Sequence, residues 1–281
     1  MWQRNYRYSQ NLSSIANHAL DNAEIEIVSL DNPQTTARPI RVDSHRKIGI
    51  LTPSSNTVLE PITNEMTRTF ENVSVHFSRL RVTEIALDHA AIAQFDIEPF
   101  TDAASLLSDA QCDVIAWSGT SGGWRGLDYD RELCDEIHQR FDVKVTTSVL
   151  AQRDLFNANG VKAYGLLTPY TADVQKKIID NFSSEGFDCV AERHLGITDN
   201  YSFATVKRST LKKLCEELSK DGAKAISILC TNIRGADLAP ILETELDIVL
   251  YDSVSVVVFR SLQLAGVTPK LNGWGKLFQS L

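Results

Sequence analysis

The sequence predicts an α/β fold of two related lobes, each built on a parallel sheet with helices on its faces. Two observations support this prediction. Short apolar segments alternate with segments of helical periodicity from about residue 47 onwards, and such alternation is typical of parallel sheets. Two patterns at the ends of predicted strands also occur twice, at nearly the same offset, which indicates an internal duplication.

The first repeated pattern is Gly-x-Leu-Thr-Pro, at residues 49–53 and again at residues 165–169. The second is an apolar strand that ends in a small residue followed by threonine, at residues 114–121 and again at residues 225–232. Both patterns lie at predicted strand ends. We therefore expect the two halves of the chain to share one topology.

Each element of the first half follows from a local pattern. Pro53 ends the first strand because it has no N–H to donate to a ladder, and Ser54, Ser55 or Asn56 can cap the helix that follows. The first half is predicted to contain strands at residues 47–53, 73–80, 112–118 and 144–147, and helices at residues 59–66, 85–108 and 130–140.

The second half repeats this alternation. Its predicted strands lie at residues 163–168, 188–194, 225–229 and 248–251, and its predicted helices at residues 149–159, 172–185, 205–220, 236–245 and 253–265. We expect a first lobe at residues 47–150, joined by the C-terminal residues 253–281, and a second lobe at residues 151–252. Residues 1–46 are polar, lack the apolar core of a secretory signal, and are expected to form a poorly ordered extension.

Composition excludes several classes of function. The formal net charge of −8 argues against nucleic-acid and membrane-surface partners, and no run is apolar enough to span a bilayer. The five cysteines show neither a C-x-x-C pair nor metal-ligand spacing with the histidines, so we expect reduced thiols, no metal and a cytoplasmic location. These cysteines are Cys112, Cys134, Cys189, Cys215 and Cys230.

Three small polar residues, Cys230, Thr231 and Asn232, follow a buried strand of the second half. In open α/β sheets, ligands bind at the carboxyl ends of the strands, so this position favours a role in the site. The alternative is that Cys230 is a buried small hydrophobe, as most free cysteines are. The internal repeat favours the functional interpretation, because it aligns Cys230 with Gly119 of the first half.

The glycine-rich stretch 119–126 follows the matching strand of the first half. Its glycines permit close backbone approach to a ligand, and Thr120 and Ser121 supply hydroxyl donors. The stretch has neither the spacing of a nucleotide-binding P-loop nor that of a dinucleotide fingerprint. It is therefore a candidate site for a small anion.

The two Gly-x-Leu-Thr-Pro strands each run into a helix. In the first copy Pro53, Ser55 and Asn56 lie at the helix start, where free N–H groups favour an anion. A plain capping turn is the alternative. In the second copy Tyr170 places a phenolic hydroxyl at the equivalent position.

These stretches resemble the aspartate/glutamate racemase superfamily, in particular the branch of maleate cis–trans isomerases and arylmalonate decarboxylases. The resemblance covers nearly everything from Lys47 to the end of the chain. The segments that resemble the isomerases are Pro53-Ser-Ser-Asn-Thr57 with Glu60, and His76-Phe-Ser-Arg-Leu-Arg81. Those that resemble the decarboxylases are Gly119-Thr-Ser121 with Arg125-Gly126, Thr146-Thr147, Tyr170 with Asp173-Val174, and Leu195-Gly-Ile-Thr198.

The resemblance implies two pseudo-symmetric, Rossmann-like lobes with parallel four-stranded sheets and a cofactor-free active site in the cleft between them. Racemases and isomerases of this type use one cysteine from each lobe. This chain departs from that pattern, because Cys230 matches the second-lobe cysteine while Gly119 stands in the first-lobe position, as in the decarboxylases.

The resemblance therefore implies a cofactor-independent decarboxylase of a malonate-type acid, in which Cys230 protonates the enediolate left by loss of CO2. The expected substrate is a small dicarboxylic acid, and the expected assembly is a monomer or homodimer. The anion is expected to be bound by hydroxyls and amides rather than by cations. The predicted substrate-binding residues are Pro53, Ser55, Asn56, Thr120, Ser121, Tyr170, Thr231 and Asn232.

Two alternatives stay open at this stage. Asn56 and its neighbours favour a maleate-like diacid, so the protein is alternatively a maleate-type cis–trans isomerase or a racemase. A non-catalytic protein that binds a small acid is the second alternative, because a fold does not establish an activity. With one thiol at the site, we expect Gly119→Cys to restore a proton donor on the opposite face.

Overall fold

The computed structural model describes residues 45–279. These residues form two four-stranded parallel sheets with the orders β2-β1-β3-β4 and β6-β5-β7-β8. The strands are β1 (Arg46–Pro53), β2 (Val73–Leu80), β3 (Val114–Trp117), β4 (Lys144–Thr147), β5 (Ala163–Thr168), β6 (Asp188–His194), β7 (Ala225–Ile228) and β8 (Val249–Asp252). Because the two orders are the same, the predicted fold of two pseudo-symmetric α/β lobes is confirmed.

Helices connect the strands and cover both sheets. They are α1 (Leu59–Thr67), α2 (His89–Ala93), α3 (Ile97–Asp109), α4 (Ser121–Arg125), α5 (Leu127–Phe141), α6 (Ser148–Ala158), α7 (Ala172–Ser184), α8 (Asn200–Phe203), α9 (Arg208–Lys220), α10 (Ala239–Leu246) and α11 (Ser253–Leu264), with 3₁₀ turns at Ala236–Leu238 and Lys276–Phe278. No helix in residues 45–279 is long and apolar enough to cross a membrane.

Burial along the strands follows their place in the sheets. In β1, every residue from Ile48 to Pro53 is buried, and β7 is buried throughout. The edge strands β2 and β6 are mostly half-exposed. Central parallel strands have helices on both faces, which explains why their sequences are continuously apolar rather than alternating.

Several predicted helices differ from the structure. The stretch 85–108 was predicted as one helix, but it forms α2 and α3; Asp88 caps the start of α2 by accepting hydrogen bonds from the N–H groups of Ala90 and Ala91. The predicted helix 205–220 begins three residues later as α9, after the short α8, which Asp199 caps through the N–H of Ser202. The predicted helix 130–140 begins three residues earlier as α5, and the stretch 236–245 forms a 3₁₀ turn followed by α10.

The last long helix, α11, packs against α1, β3 and β4 of the first half, and also against α6, β8 and the 3₁₀ turn Ala236–Leu238. The lobe boundaries given above stay a prediction. The prediction for residues 1–46 lies, except for its last two residues, outside the described part of the chain.

Candidate active site

The carboxyl ends of central strands from both lobes meet around one small cavity. Its volume is about 20 Å³, which is room for one water molecule. The lining residues are Pro53, Val82, Ile85, Phe95, Trp117, Gly119, Thr120, Ser121, Trp124, Tyr170, Asn200, Cys230 and Thr231. Seven of the ten predicted site residues are therefore in this lining, and Gly119 shares it with Cys230.

A larger cavity of about 450 Å³ lies at the opposite end of the second sheet, where it contacts the first residues of β5, β7 and β8. None of the predicted site residues lines it. Ligands of open α/β sheets bind at the carboxyl ends of the strands, so the smaller cavity is the candidate active site.

Cys230 is buried just beyond β7. Its Sγ accepts a hydrogen bond from the N–H of Asn232 at 3.4 Å, and the Tyr170 hydroxyl also contacts the sulfur. Burial raises the pKa of the Cys230 thiol to about 12, and these hydrogen bonds offset that rise in part. Cys230 therefore carries its proton at neutral pH, as a proton donor must.

Tyr170 joins the two lobes through its hydroxyl. The oxygen lies 2.7 Å from Oγ1 of Thr120 in the first lobe and contacts Cys230 in the second. Burial keeps the pKa of Tyr170 well above its ordinary value, so the phenol stays a neutral donor. Ser121 adds a hydroxyl whose oxygen accepts the indole N–H of Trp117 at 3.0 Å.

Neutral donors make up the polar part of this cavity. Among the described residues that line it, none is arginine or lysine. The guanidinium of Arg125 lies 4.2 Å from the ring centre of Tyr129 and donates to the carbonyl of Ile92, and Arg234 is exposed. That hydroxyls and amides, rather than cations, bind the anion stays a prediction.

The three other predicted site residues lie one layer behind the cavity, where they hold the lobes together. Asn56 donates from Nδ2 to Oγ1 of Thr231 at 3.1 Å, and its Oδ1 caps α1. Asn232 accepts the N–H of Thr57 at 3.0 Å. Ser55 accepts from the side-chain amide of Asn200 at 2.8 Å. A direct role of these three residues in substrate binding stays a prediction.

Thr231 lines the cavity, but its hydroxyl is already engaged across the lobe interface. The hydroxyl donates to the carbonyl of Ser118 at 3.2 Å and accepts from Asn56. Its proton is therefore not available to a substrate while these bonds hold. Thr231 thus differs from Thr120, its match in the internal repeat.

The sequence did not single out several cavity residues. Asn200 lies at the first position of α8, two residues beyond the segment 195–198 that carries part of the family resemblance. The apolar wall includes Val82, Ile85 and Phe95 from the connection after β2. Ile85 anchors this connection to the second lobe, because its backbone N–H donates to the carbonyl of Thr198. No local sequence pattern predicts this contact.

Each lobe also contains a fully buried carboxyl group. Asp130 accepts a hydrogen bond from the hydroxyl of Thr147, and Asp252 caps α11 through the N–H groups of Val254 and Ser255 at 2.9 and 3.2 Å. Burial raises the pKa of each carboxyl to about 7. Neither residue lines the cavity, so we assign them no contact with a substrate.

Comparison with known proteins agrees with this geometry. The family profile of arylmalonate decarboxylase matches residues 61–278. Arylmalonate decarboxylase of Bordetella bronchiseptica is 27% identical over 186 residues, which cover 65% of this chain and 78% of that protein.

Solved structures show the same fold. Maleate cis–trans isomerase of Nocardia farcinica, as a cysteine-to-serine mutant with a covalently bound succinylcysteine intermediate, gives a TM-score of 0.78 at 18% identity over 84% of this chain and 99% of that one. A glycine-to-cysteine, cysteine-to-serine double mutant of arylmalonate decarboxylase in its liganded form gives 0.74 at 24% identity, over 84% and 100%.

Proposed function

The chain belongs to the arylmalonate decarboxylase family, and we propose that it is a cofactor-independent decarboxylase of a malonate-type acid. One observation carries the choice of reaction. Among the described residues that line the cavity, Cys230 is the single thiol, and the matching position of the first lobe is Gly119. Such a site has one proton donor of this type, which is what decarboxylation requires.

The first step is binding of the carboxylate that the product retains. Hydroxyls of Thr120, Ser121 and Tyr170 face the same cavity and supply neutral donors for its oxygens. The departing carboxylate then lies against the apolar wall, where loss of charge as CO2 is favoured. The bond between the α-carbon and this carboxylate breaks, and its electron pair stays on the substrate as an enediolate.

The second step is protonation of that enediolate. The hydroxyls that hold the retained carboxylate stabilise the additional charge that develops on its oxygens, as an oxyanion hole does. Cys230 transfers its proton from Sγ to the α-carbon. The resulting thiolate accepts a hydrogen bond from the Asn232 N–H, and a proton from water restores the thiol.

Cis–trans isomerisation of a maleate-type diacid is the second candidate. It is favoured by the amide layer of Asn56 and Asn232 behind the cavity and by the fold shared with maleate isomerases. The isomerase of Nocardia farcinica carries a succinylcysteine intermediate in a mutant that lacks another of its cysteines. Gly119 removes the first-lobe thiol that such a two-cysteine route uses, so we rank it second.

One assay separates these functions from each other and from plain binding. The purified protein is supplied with a panel of substituted malonates and with maleate in D2O, and CO2 and products are measured. A decarboxylase releases CO2 from a malonate and leaves one deuterium at the α-carbon. Conversion of maleate to its trans isomer without CO2 contradicts the proposal, and so does binding of a malonate without turnover.

A further inference from the structure

Trp117 is held rigidly at the end of β3. The side chain is buried, and its indole N–H donates to Oγ of Ser121 at 3.0 Å. Its ring packs edge-on against Phe100 with the ring centres 4.8 Å apart. A side chain with a hydrogen bond at one end and an aromatic contact at the other cannot move aside without losing both.

The indole lies directly over Gly119. A Cβ atom added at Gly119 would be 2.1 Å from Cζ2 and 2.2 Å from Cε2 of Trp117. Real Cβ atoms essentially never approach another heavy atom closer than 3.0 Å. The first lobe therefore lacks a cysteine at position 119, and Trp117 also fills the space that any side chain at this position would need.

The second lobe has a different residue at the matching position. The internal repeat aligns Trp117 with Ile228, and Gly119 with Cys230. An isoleucine precedes the thiol by two residues, and the thiol extends into the cavity. Trp117→Ile thus converts the first lobe to the pattern of the second at one position, and the residue at this strand position stays apolar.

We propose that Trp117 is the specificity-determining residue of the first lobe: its indole occupies the place of an acid–base side chain on that face and restricts the size of the α-substituent that the site accepts. This proposal rests on the proposed function. Besides Trp117, the aromatic rings of Phe95 and Trp124 line the cavity. A methyl group has a far smaller demand for space there than a phenyl ring.

The specificity is tested by comparing methylmalonate with phenylmalonate. We expect Trp117→Ile to shift the ratio of the two kcat/KM values towards phenylmalonate by roughly 10–200-fold, the range for reshaping an apolar pocket. The ratio does not depend on the amount of folded enzyme. Phe95→Leu, which changes another ring of the same wall, is the matched control and should move the ratio less than Trp117→Ile.

The proposal is overturned if Trp117→Ile still turns over methylmalonate with an unchanged ratio, or if Phe95→Leu changes the ratio as much. If Trp117→Ile loses activity on both malonates, Trp117→Phe is measured instead, because it keeps a smaller aromatic ring. The kcat/KM ratio of Trp117→Phe should shift in the same direction, and an unchanged ratio in this variant also overturns the proposal.

A melting experiment tests the occupied space without any substrate. Gly119→Ala should lower the melting temperature of the wild type, because the added methyl group collides with the indole. In the Trp117→Ile background, Gly119→Ala should lower the melting temperature less, or raise it, because the smaller isoleucine leaves space for the added methyl group. Equal losses in both backgrounds contradict the proposal. If the wild type turns over neither malonate, the proposed function is wrong, and this cycle alone decides whether the indole fills the first-lobe position.

Discussion

The strand ends that follow β3 and β7 share a backbone plan and differ in chemistry. Beyond β3, Gly119 lies under an indole and has no room for a side chain. Beyond β7, Cys230 presents a thiol whose sulfur contacts the N–H of Asn232 and the hydroxyl of Tyr170. Under the proposed function, Thr120 and Ser121 of the first lobe bind the anion together with Tyr170, and Cys230 of the second lobe delivers the proton.

The threonines that follow these two residues show the same division. Thr120 faces the Tyr170 hydroxyl at 2.7 Å, which places it among the anion-binding donors. The Thr231 hydroxyl accepts a hydrogen bond from Asn56 and donates one to the carbonyl of Ser118, and both partners belong to the first lobe. Matched residues of the repeat therefore serve binding in one lobe and lobe closure in the other.

The largest expected effect comes from removing the thiol. Cys230→Ser should lower kcat for decarboxylation by roughly 10²–10⁴-fold, the contribution of a positioned general acid, because a hydroxyl is a much weaker acid than a thiol. Steady-state CO2 release measures this loss. Cys215→Ser is the matched control, since Cys215 is equally buried but lies on α9; equal losses of kcat in the two variants would mean that burial, not chemistry, matters.

The next effect concerns the anion-binding hydroxyls of the comparison. Thr120→Ala and Tyr170→Phe should each reduce kcat by about 10²–10³-fold, the usual cost of losing one oxyanion donor. The substitutions are compared by CO2 release at saturating substrate. Near-normal rates in both variants would place the anion site elsewhere in the cavity.

Thr231 should give the opposite pattern. Thr231→Val leaves the Nδ2 group of Asn56 buried without this partner, so we expect the free energy of unfolding to fall by about 1–3 kcal/mol. The fall in kcat should be smaller than that caused by Thr120→Ala. Urea denaturation and the decarboxylation assay together check this prediction, and a rate loss equal to that of Thr120→Ala would erase the proposed difference between the lobes.

A further prediction concerns pH and a feature that the lobes share. Asp130 and Asp252 have folded-state pKa values of about 7, above the ordinary value of about 3.9. Between about pH 4 and pH 7, these two carboxyl groups are therefore protonated in the folded protein and ionised in the unfolded chain. Their stabilising contribution is full below pH 4 and is lost as pH rises to about 7, with a slope of up to about 1.4 kcal/mol per pH unit for each group.

The slope is checked by urea denaturation between pH 4 and pH 8. Asp130→Asn and Asp252→Asn should each remove their share of the pH dependence, while the asparagine keeps an acceptor for Thr147 or for the helix cap. An unchanged slope in either variant would show that the carboxyl concerned is ionised in the folded protein.

Sequence patterns sufficed for the features that repeat. The duplicated Gly-x-Leu-Thr-Pro segments predicted two lobes with one topology, and the aligned strand ends placed Gly119 and Cys230 at one cavity. These predictions succeeded because strand burial and strand-end position are local properties of a parallel sheet.

Features that depend on packing between distant segments could not be predicted in this way. The position of the Trp117 ring over Gly119 depends on its contacts with Phe100 and Ser121. For this reason, we revise the expectation that Gly119→Cys alone restores a proton donor: Trp117 must also be replaced by a smaller residue. The high pKa of Cys230 likewise results from tertiary burial, which spacing does not reveal.

The handedness of the product tests the division of labour most directly. Methylmalonate is decarboxylated in D2O, and the configuration of the monodeuterated propionate is determined. The wild type should give one enantiomer with one deuterium, because Cys230 delivers the proton from one face. Trp117→Ile combined with Gly119→Cys and Cys230→Ser should give the opposite enantiomer. A racemic product from the wild type, or unchanged handedness in the triple variant, would contradict the account.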